Sequence, residues 1–217
     1  MPFSVMFHHF HGGAHQPSQG SMSAEELEEM IDWLSDRYSI VGAMEFLYKH
    51  QVGELVENEI CLSFDDGLRS QVDLALPILN SRGIDAFFFV YSSALLGEPD
   101  YLEIYRDFRH NAFASIDSFY SEFFDSAEQY DKSRYVECSN NYPADYLSKF
   151  PFYTDNDRFF RYLRDVCLGP KAYREIMSLM MTGLGYDSVA ASERLWMSNE
   201  NLLQIRDAGH EIGLHSF

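Results

Sequence analysis

Short apolar segments alternate with amphipathic segments along the first 95 residues of the chain. Residues 4–10, 38–41, 60–64 and 86–91 are enriched in the aromatic and aliphatic side chains typical of strands. The first three of these segments are followed closely by Gly or Asp residues that form turns. The fourth, AFFFVY, is apolar on both faces, which is typical of a parallel strand covered by helices.

Helices are predicted between these strands. Ser23 and Glu26 form a capping box, and apolar side chains recur at helical spacing over residues 24–37. A second periodic segment begins near Val72 and ends at Gly83. Strands that alternate with helices in this way predict an α/β fold with a parallel sheet.

Residues 96–195 interrupt the alternation, because their apolar side chains recur every three or four positions without a comparable strand. We interpret this segment as a large helical insertion. Residues 101–162 contain 18 of the 34 Phe, Tyr and Trp residues, which could form a sugar-stacking surface. Aromatic stripes at helical spacing more often fill a helical core, and we favour that alternative. Two stripes carry this interpretation: Phe113, Ile116, Tyr120 and Phe123, and Phe159, Tyr162, Leu163 and Val166.

The β/α alternation returns in residues 196–217. Ser198 is placed to cap a helix that ends at Gly209, and residues 211–215 are predicted to form a strand. The predicted domains are therefore a β/α portion made of residues 1–95 and 196–217, and a helical insertion over residues 96–195.

Charge and apolar run length narrow the possible functions. The 217-residue chain has 34 acidic and 16 basic residues and a formal net charge of −18, which disfavours binding to nucleic acid and anionic lipid. The longest strongly apolar run, residues 86–91, is far too short for a membrane span. The first residues lack a basic segment and an apolar core of the kind found in secretory signals, so we expect a cytoplasmic protein. Cys61, Cys138 and Cys167 are far apart in sequence, which predicts reduced thiols that pack in the core.

The first candidate site is Ser63-Phe64-Asp65-Asp66-Gly67, at the end of a predicted buried strand. Adjacent carboxylates at a strand end point in different directions, so one can bind a metal while the other accepts a proton. The alternative is that Asp-Gly only shapes a turn, and this motif alone favours the turn.

The second candidate is the segment HEIGLHS, residues 210–216. His210 and His215 are five positions apart, so they lie on different faces of either a helix or a strand and cannot jointly bind one ion. This spacing excludes the HExxH metalloprotease motif. His215 is better placed as a single ligand at a strand end.

The third candidate is a group of histidines near the N-terminus, His8, His9, His11 and His15. On a continued strand, His9 and His11 would share one face and could bind a metal as a pair. The commoner outcome is a histidine satisfied at a strand end or exposed in the glycine-rich loop.

Four separated motifs together resemble the NodB-type polysaccharide deacetylases, carbohydrate esterase family 4. They are SFDDG after a buried strand, LPILNSRG at a helix end, the strand AFFFV and the segment DAGHEIGLHS. The opening strand VMFHHF also resembles that family, with Phe7 and His8 as its aromatic-His pair. The helical insertion has no counterpart in the minimal domain of the family.

The resemblance implies a distorted NodB-like (β/α) barrel and a divalent metal, most simply zinc. It implies that Asp65 is the general base and that Asp66 and His215 are metal ligands. Ser63 belongs to the first motif, and His8 and Ser63 are expected to line the substrate site. The implied reaction is hydrolysis of a carbohydrate acetamide, so the expected partner is an acetylated amino-sugar glycan or its precursor.

One departure from the family pattern concerns the second metal-binding His, which would fall two positions beyond Phe217. We therefore expect the barrel to be incomplete at the C-terminus, the chain to be the N-terminal part of a longer enzyme, and this part to be inactive by itself. The alternative from another class is a non-catalytic carbohydrate-binding or interaction domain on the same fold.

Overall fold

The computed structural model describes residues 3–98 and 101–215. Five strands form one sheet in which every pairing between strands is parallel. They are β1 (Phe3–Phe7), β2 (Ser39–Ile40), β3 (Glu59–Phe64), β4 (Phe87–Val90) and β5 (Glu211–Leu214). The sheet order is β1-β3-β4-β5, and the short β2 also pairs with β3. The α/β class with a parallel sheet is thus confirmed.

Strand β3 is the centre of the sheet, and every one of its residues is buried. The ring of Phe64 stacks on that of Phe88 in β4 with centroids 4.8 Å apart, and on Phe7 in β1 at 5.3 Å. Burying these rings and the aliphatic side chains of β3 stabilises the fold by about 2 kcal/mol per side chain before entropy is counted. The packing fixes the ends of β1, β3 and β4 side by side.

Helices connect the strands. Early in the chain they are α1 (Ala24–Ser35), α2 (Ala43–Val52), a π-helical segment (Gln71–Ala75) that continues into α3 (Leu76–Arg82), and α4 (Ser92–Leu95). The capping box of Ser23 and Glu26 is present at the start of α1. Helix α3 ends at Gly83 in the left-handed conformation, as the sequence predicts.

The remaining helices are α5 (Tyr101–Asn111), α6 (Ile116–Tyr130), α7 (Lys132–Asn140), α8 (Asp155–Tyr162), a π-helical segment (Leu163–Leu168), α9 (Gly169–Gly183), α10 (Ser188–Leu195) and α11 (Asn199–Asp207). Ser198 caps α11. None of the helices in the described ranges is long and apolar enough to cross a membrane.

The chain divides into two compact units. One comprises Met1–Ile104 and Val189–Phe217 and contains the sheet, and the other comprises Tyr105–Ser188 and is helical. The helical unit lies within the segment interpreted as an insertion.

An aromatic cluster forms the core of the helical unit. The rings of Phe119, Phe123 and Phe160 are fully buried and contact one another edge to face or tilted, with centroids 4.9–5.9 Å apart. The hydroxyl of Tyr120 donates a hydrogen bond to the carboxylate of Asp157 inside this core. Of the two predicted stripes, Tyr120, Phe123, Tyr162 and Leu163 are buried, which agrees with the core interpretation for these four side chains.

Two features of the helical unit differ from the sequence interpretation. Val166 was assigned to a buried stripe, but it is 58% exposed because a π-helical segment replaces regular helix there and shifts the phase of the side chains. The prediction of three reduced thiols was wrong, since Cys138 and Cys167 form a disulfide between α7 and the π-helical segment. Only Cys61 is a free thiol in the described residues, and it is buried in β3.

Two local features of the sheet unit also differ from the sequence interpretation. Strand β1 ends at Phe7, so the following histidines lie in a loop rather than on the continued strand. Helix α2 was not predicted, because Ala43 is its one buried side chain and its apolar pattern is weak. Its first turn is capped from a distance, since Ala43 N–H donates to Asp85 Oδ1 at 2.5 Å.

Candidate metal and hydrolase site

The turn after β3 presents two adjacent carboxylates at the end of the sheet. Asp65 is held to the end of β1 because its N–H donates to the carbonyl of Phe7 at 3.0 Å. The next two residues, Asp66 (φ 76°) and Gly67 (φ 64°), are both in the left-handed region. A Cβ at Gly67 would meet Val90 at 3.1 Å, so glycine permits the close approach of this turn to β4. Left-handed backbone at a non-glycine residue is uncommon and is often found at functional sites.

Gln71, the first residue of the π-helical segment, hydrogen-bonds to the backbone of the same turn. Its side chain is fully buried, and its Nε2 donates to the carbonyls of His8 at 2.9 Å and Asp65 at 2.5 Å. One amide thereby ties the loop after β1 to the turn after β3. π-helical segments are rare and often occur at functional sites, where they re-aim a side chain.

His8 and His215 complete the group of predicted site residues. His215 follows β5, and its N–H donates to the carbonyl of Val90 at 2.9 Å. Its Nε2 lies 3.4 Å from Asp65 Oδ2 and 3.8 Å from Asp66 Oδ1. His8 Nε2 lies 4.0 Å from Asp66 Oδ2. The structure therefore brings together Asp65, Asp66, His215 and His8, from three strand ends.

Ser63 is the remaining predicted site residue. It is buried within β3, where it pairs with Met6 of β1 and Phe87 of β4. It lies two positions before Asp65, inside the strand rather than in the turn. Its expected place in the lining of the substrate site stays a prediction.

Burial and neighbouring charges act in opposite directions on Asp65. Burial is the largest effect and raises the pKa of its carboxyl above the ordinary value, while the rings of His8 and His215 lower it and Asp66 raises it. Its Oδ1 is buried and has no hydrogen-bond partner within the residues that the structure describes. A raised pKa and an oxygen that is free to accept a proton favour a role for Asp65 as a general base.

A further contact at this site was not predicted. His9 Nε2 lies 2.9 Å from Glu103 Oε2, and Glu103 is in the first turn of α5. Ligand atoms of His9, Asp66 and Glu103 all lie within 4.8 Å of one another. Nothing in the sequence around Glu103 resembles a metal motif. The sequence therefore could not predict this contact, which arises only when the chain folds.

The other histidines have structural partners. His11 Nδ1 lies 2.9 Å from Ser21 Oγ, and His15 Nε2 lies 2.9 Å from Asp73 Oδ2. The proposed pairing of His9 with His11 on a strand face was wrong, because β1 ends before them. The expectation that some of these histidines are simply satisfied is confirmed for His11 and His15.

His210 is also structural. Its Nδ1 accepts a hydrogen bond from Ala86 N–H at 3.1 Å, which leaves Nε2 protonated and able to donate to Asn80 Oδ1 at 3.1 Å. Both ring nitrogens of the neutral imidazole are thus used in the core. The exclusion of a joint metal site with His215 agrees with this arrangement.

The donor set at the strand ends fits a divalent cation. Carboxylate oxygens and imidazole nitrogens are ligands that zinc and related metals accept, and catalytic sites keep one position open for water or substrate. Asp66 and His215 provide one ligand of each type, with atoms 3.8 Å apart. The buried Oδ1 of Asp65, which has no hydrogen-bond partner among the described residues, is consistent with a water or another bound group at this site.

Comparisons with known proteins give two structural similarities. The chain is similar to the de-N-acetylase from Aggregatibacter actinomycetemcomitans, with 26% identity over 43% of this chain and 38% of that one, and a TM-score of 0.38. It is also similar to IcaB from Ammonifex degensii, with 24% identity over 41% of this chain and 37% of that one, and a TM-score of 0.35. No family model and no curated protein matches the chain.

The chain spans less than two fifths of the length of each of these two structures. The geometry of the strand-end site, rather than this partial overlap, carries the functional conclusion below. In its motifs the chain resembles the NodB-type deacetylases, and a de-N-acetylase is among the solved structures to which it is similar.

Proposed function

We propose that the strand-end site is that of a metal-dependent N-deacetylase, which hydrolyses the acetamide of an acetylated amino sugar. One observation carries this proposal: two adjacent carboxylates, Asp65 and Asp66, lie next to His215 Nε2, at 3.4 and 3.8 Å. Of the two, Asp65 has a raised pKa and a buried oxygen without a hydrogen-bond partner among the described residues. This difference supports separate roles as base and ligand.

In this proposal, Asp66 and His215 hold the cation, with zinc as the simplest choice. The cation supplies Lewis acidity toward the acetamide carbonyl when it is bound. Asp65 accepts a proton from the attacking water through Oδ1, the oxygen without a protein partner. Gln71 keeps Asp65 in register with the His8 loop through the two backbone carbonyls that it binds. The products are acetate and a free amino sugar.

The substrate class is also part of the proposal. An acetylated amino-sugar glycan or its precursor is the partner implied by the motif resemblance. Because we expect these 217 residues to be inactive by themselves, turnover is tested in the longer enzyme of which they would be the N-terminal part.

The test compares acetate release from an acetylated amino-sugar oligomer by this longer enzyme and by its Asp65→Asn variant, with zinc present. We expect Asp65→Asn to release acetate about 100-fold more slowly while it binds zinc normally, because the base is removed and the side-chain volume is kept. Asp36→Asn removes the same charge from an exposed position and should behave like the parent. Equal rates in Asp65→Asn and the parent would remove Asp65 from the chemistry.

A second outcome distinguishes the alternative function. Oligosaccharide binding by the longer enzyme with no acetate release at any zinc concentration would favour a non-catalytic carbohydrate-binding domain on this fold.

A further inference from the structure

Three potential metal ligands converge from parts of the chain that are far apart in sequence. His9 lies in the loop after β1, Asp66 in the turn after β3, and Glu103 in the first turn of α5. One ligand atom of each lies within 4.8 Å of the others, and His9 Nε2 is 2.9 Å from Glu103 Oε2. The side chains of His9 and Glu103 are largely buried, with 20% and 13% of their surfaces exposed.

We propose that His9 and Glu103 are protein ligands of the same divalent cation that Asp66 binds. This inference rests on the proposed function, because it assigns further ligands to that site. Two imidazoles, of His9 and His215, and two carboxylates, of Asp66 and Glu103, would then surround the cation, and zinc accepts both ligand types. Asp66 is common to both pairs, since His215 Nε2 lies 3.8 Å from its Oδ1.

The spacing of the three donors is suitable for zinc. Zn–N and Zn–O bonds of about 2.0–2.2 Å in tetrahedral geometry separate neighbouring donors by about 3.3–3.5 Å. The separation of 2.9 Å between His9 and Glu103 and the limit of 4.8 Å for the whole group bracket this value.

An ordinary ion pair between His9 and Glu103 explains less of the structure. It accounts for the contact at 2.9 Å, but it does not account for a second carboxylate, that of Asp66, beside the pair. Two carboxylates at this distance repel each other, and a divalent cation between them removes that cost.

The neighbouring Asp65 gives an independent indication of a bound group. It is 9% exposed, and its Oδ1 has no hydrogen-bond partner among the residues for which the structure gives contacts. Buried carboxylate oxygens are usually satisfied, so we expect a water or another bound group at this atom, on the residue next to Asp66.

The experiment is calorimetric titration of zinc into metal-stripped protein, for the parent, His9→Gln and Glu103→Gln. We expect one zinc per chain and an affinity at least about tenfold lower in each variant, because each loses a direct ligand. Matched controls are His50→Gln and Glu98→Gln, which remove the same groups from exposed positions. These controls should bind zinc as the parent does.

A second measurement does not depend on how the variants fold. In nitrogen-edited NMR spectra of the parent, the ring nitrogens of His9 should shift in proportion to added zinc up to one equivalent. Unchanged His9 signals in a protein that binds zinc, or parental affinity in both Glu103→Gln and His9→Gln, would overturn the inference.

These results are separable from those for the proposed function. If Asp66→Asn abolishes zinc binding while His9→Gln and Glu103→Gln leave it intact, the further ligands are wrong and the deacetylase proposal stands. If His9→Gln and Glu103→Gln weaken zinc binding but Asp65→Asn releases acetate at the parental rate, the ligands stand and the catalytic proposal fails.

Discussion

His215 Nε2 lies 3.4 Å from Asp65 Oδ2, although the two residues come from the ends of strands that are not neighbours in the sheet. Strand β4 separates β3 from β5, so the side chains meet across the end of the intervening strand. His215 Nε2 is also 3.8 Å from Asp66 Oδ1. One imidazole thus lies next to both carboxylates of the turn.

Replacing His215 tests the importance of this position for metal binding. We expect His215→Asn to lower zinc affinity by at least about tenfold, because the ring is a ligand candidate and also offsets the charge of two carboxylates. Calorimetry measures the affinity, and His50→Asn is the matched exposed control. Parental zinc affinity in His215→Asn would show that the imidazole does not serve the metal.

Replacing Gln71 tests whether the site depends on the two hydrogen bonds that this side chain donates. Gln71→Leu leaves the buried carbonyls of His8 and Asp65 without their amide donor, so we expect a loss of at least about 2 kcal/mol in the free energy of unfolding. Urea denaturation measures this loss, and Gln204→Leu on the exposed face of α11 is the control. A stability equal to that of the parent would mean that the two hydrogen bonds are dispensable.

Much of the strand-end site could be predicted from the sequence. Asp65 and Asp66 follow the buried strand β3, and His215 follows the short strand β5. Parallel strands place such ends at one edge of a sheet. Glu103 could not be predicted, because its approach to His9 depends on where α5 begins in space. Helix α2 was missed for a similar reason, since its cap comes from Asp85, far along the chain.

The disulfide could not be predicted from spacing either. Cys138 and Cys167 lie on separate helical segments, and only the packing of those segments brings their Cα atoms to 6.2 Å. Disulfides persist in oxidising compartments and are rare in the cytoplasm, so the disulfide and the predicted cytoplasmic location give opposite expectations for the thiols.

Thiol counting decides between these expectations. We expect denatured, unreduced protein to react with one equivalent of an alkylating reagent, at Cys61, and reduced protein with three. Cys138→Ser should lower the free energy of unfolding by about 3 kcal/mol, because the loop of 29 residues is no longer closed in the unfolded state. Three reactive thiols without reductant would contradict the disulfide.

The lowered pKa of His210 predicts how the free energy of unfolding depends on pH. Burial lowers the pKa of its imidazole below the ordinary 6.5, and the charge of Asp85 partly offsets this effect. The unfolded chain then binds more protons near pH 6 than the folded chain does, so stability falls as the pH falls through 6.5.

Urea denaturation at pH 7.5 and about pH 5.5 measures this dependence. We expect the parent to lose stability at the lower pH and His210→Gln to lose less, although the variant is less stable at pH 7.5. His50→Gln should keep the parental dependence. An identical slope in His210→Gln and the parent would assign the pH effect to other groups.

The most direct test of the deacetylase proposal is acetate release from an acetylated amino-sugar oligomer while zinc is titrated into the metal-stripped longer enzyme that contains these 217 residues. The proposal predicts no release without metal, and a rate that rises with zinc and saturates when the calorimetric site is filled. Release that is independent of zinc, or no release when the site is full, would contradict the assignment of Asp65, Asp66 and His215 to a metal-dependent deacetylase.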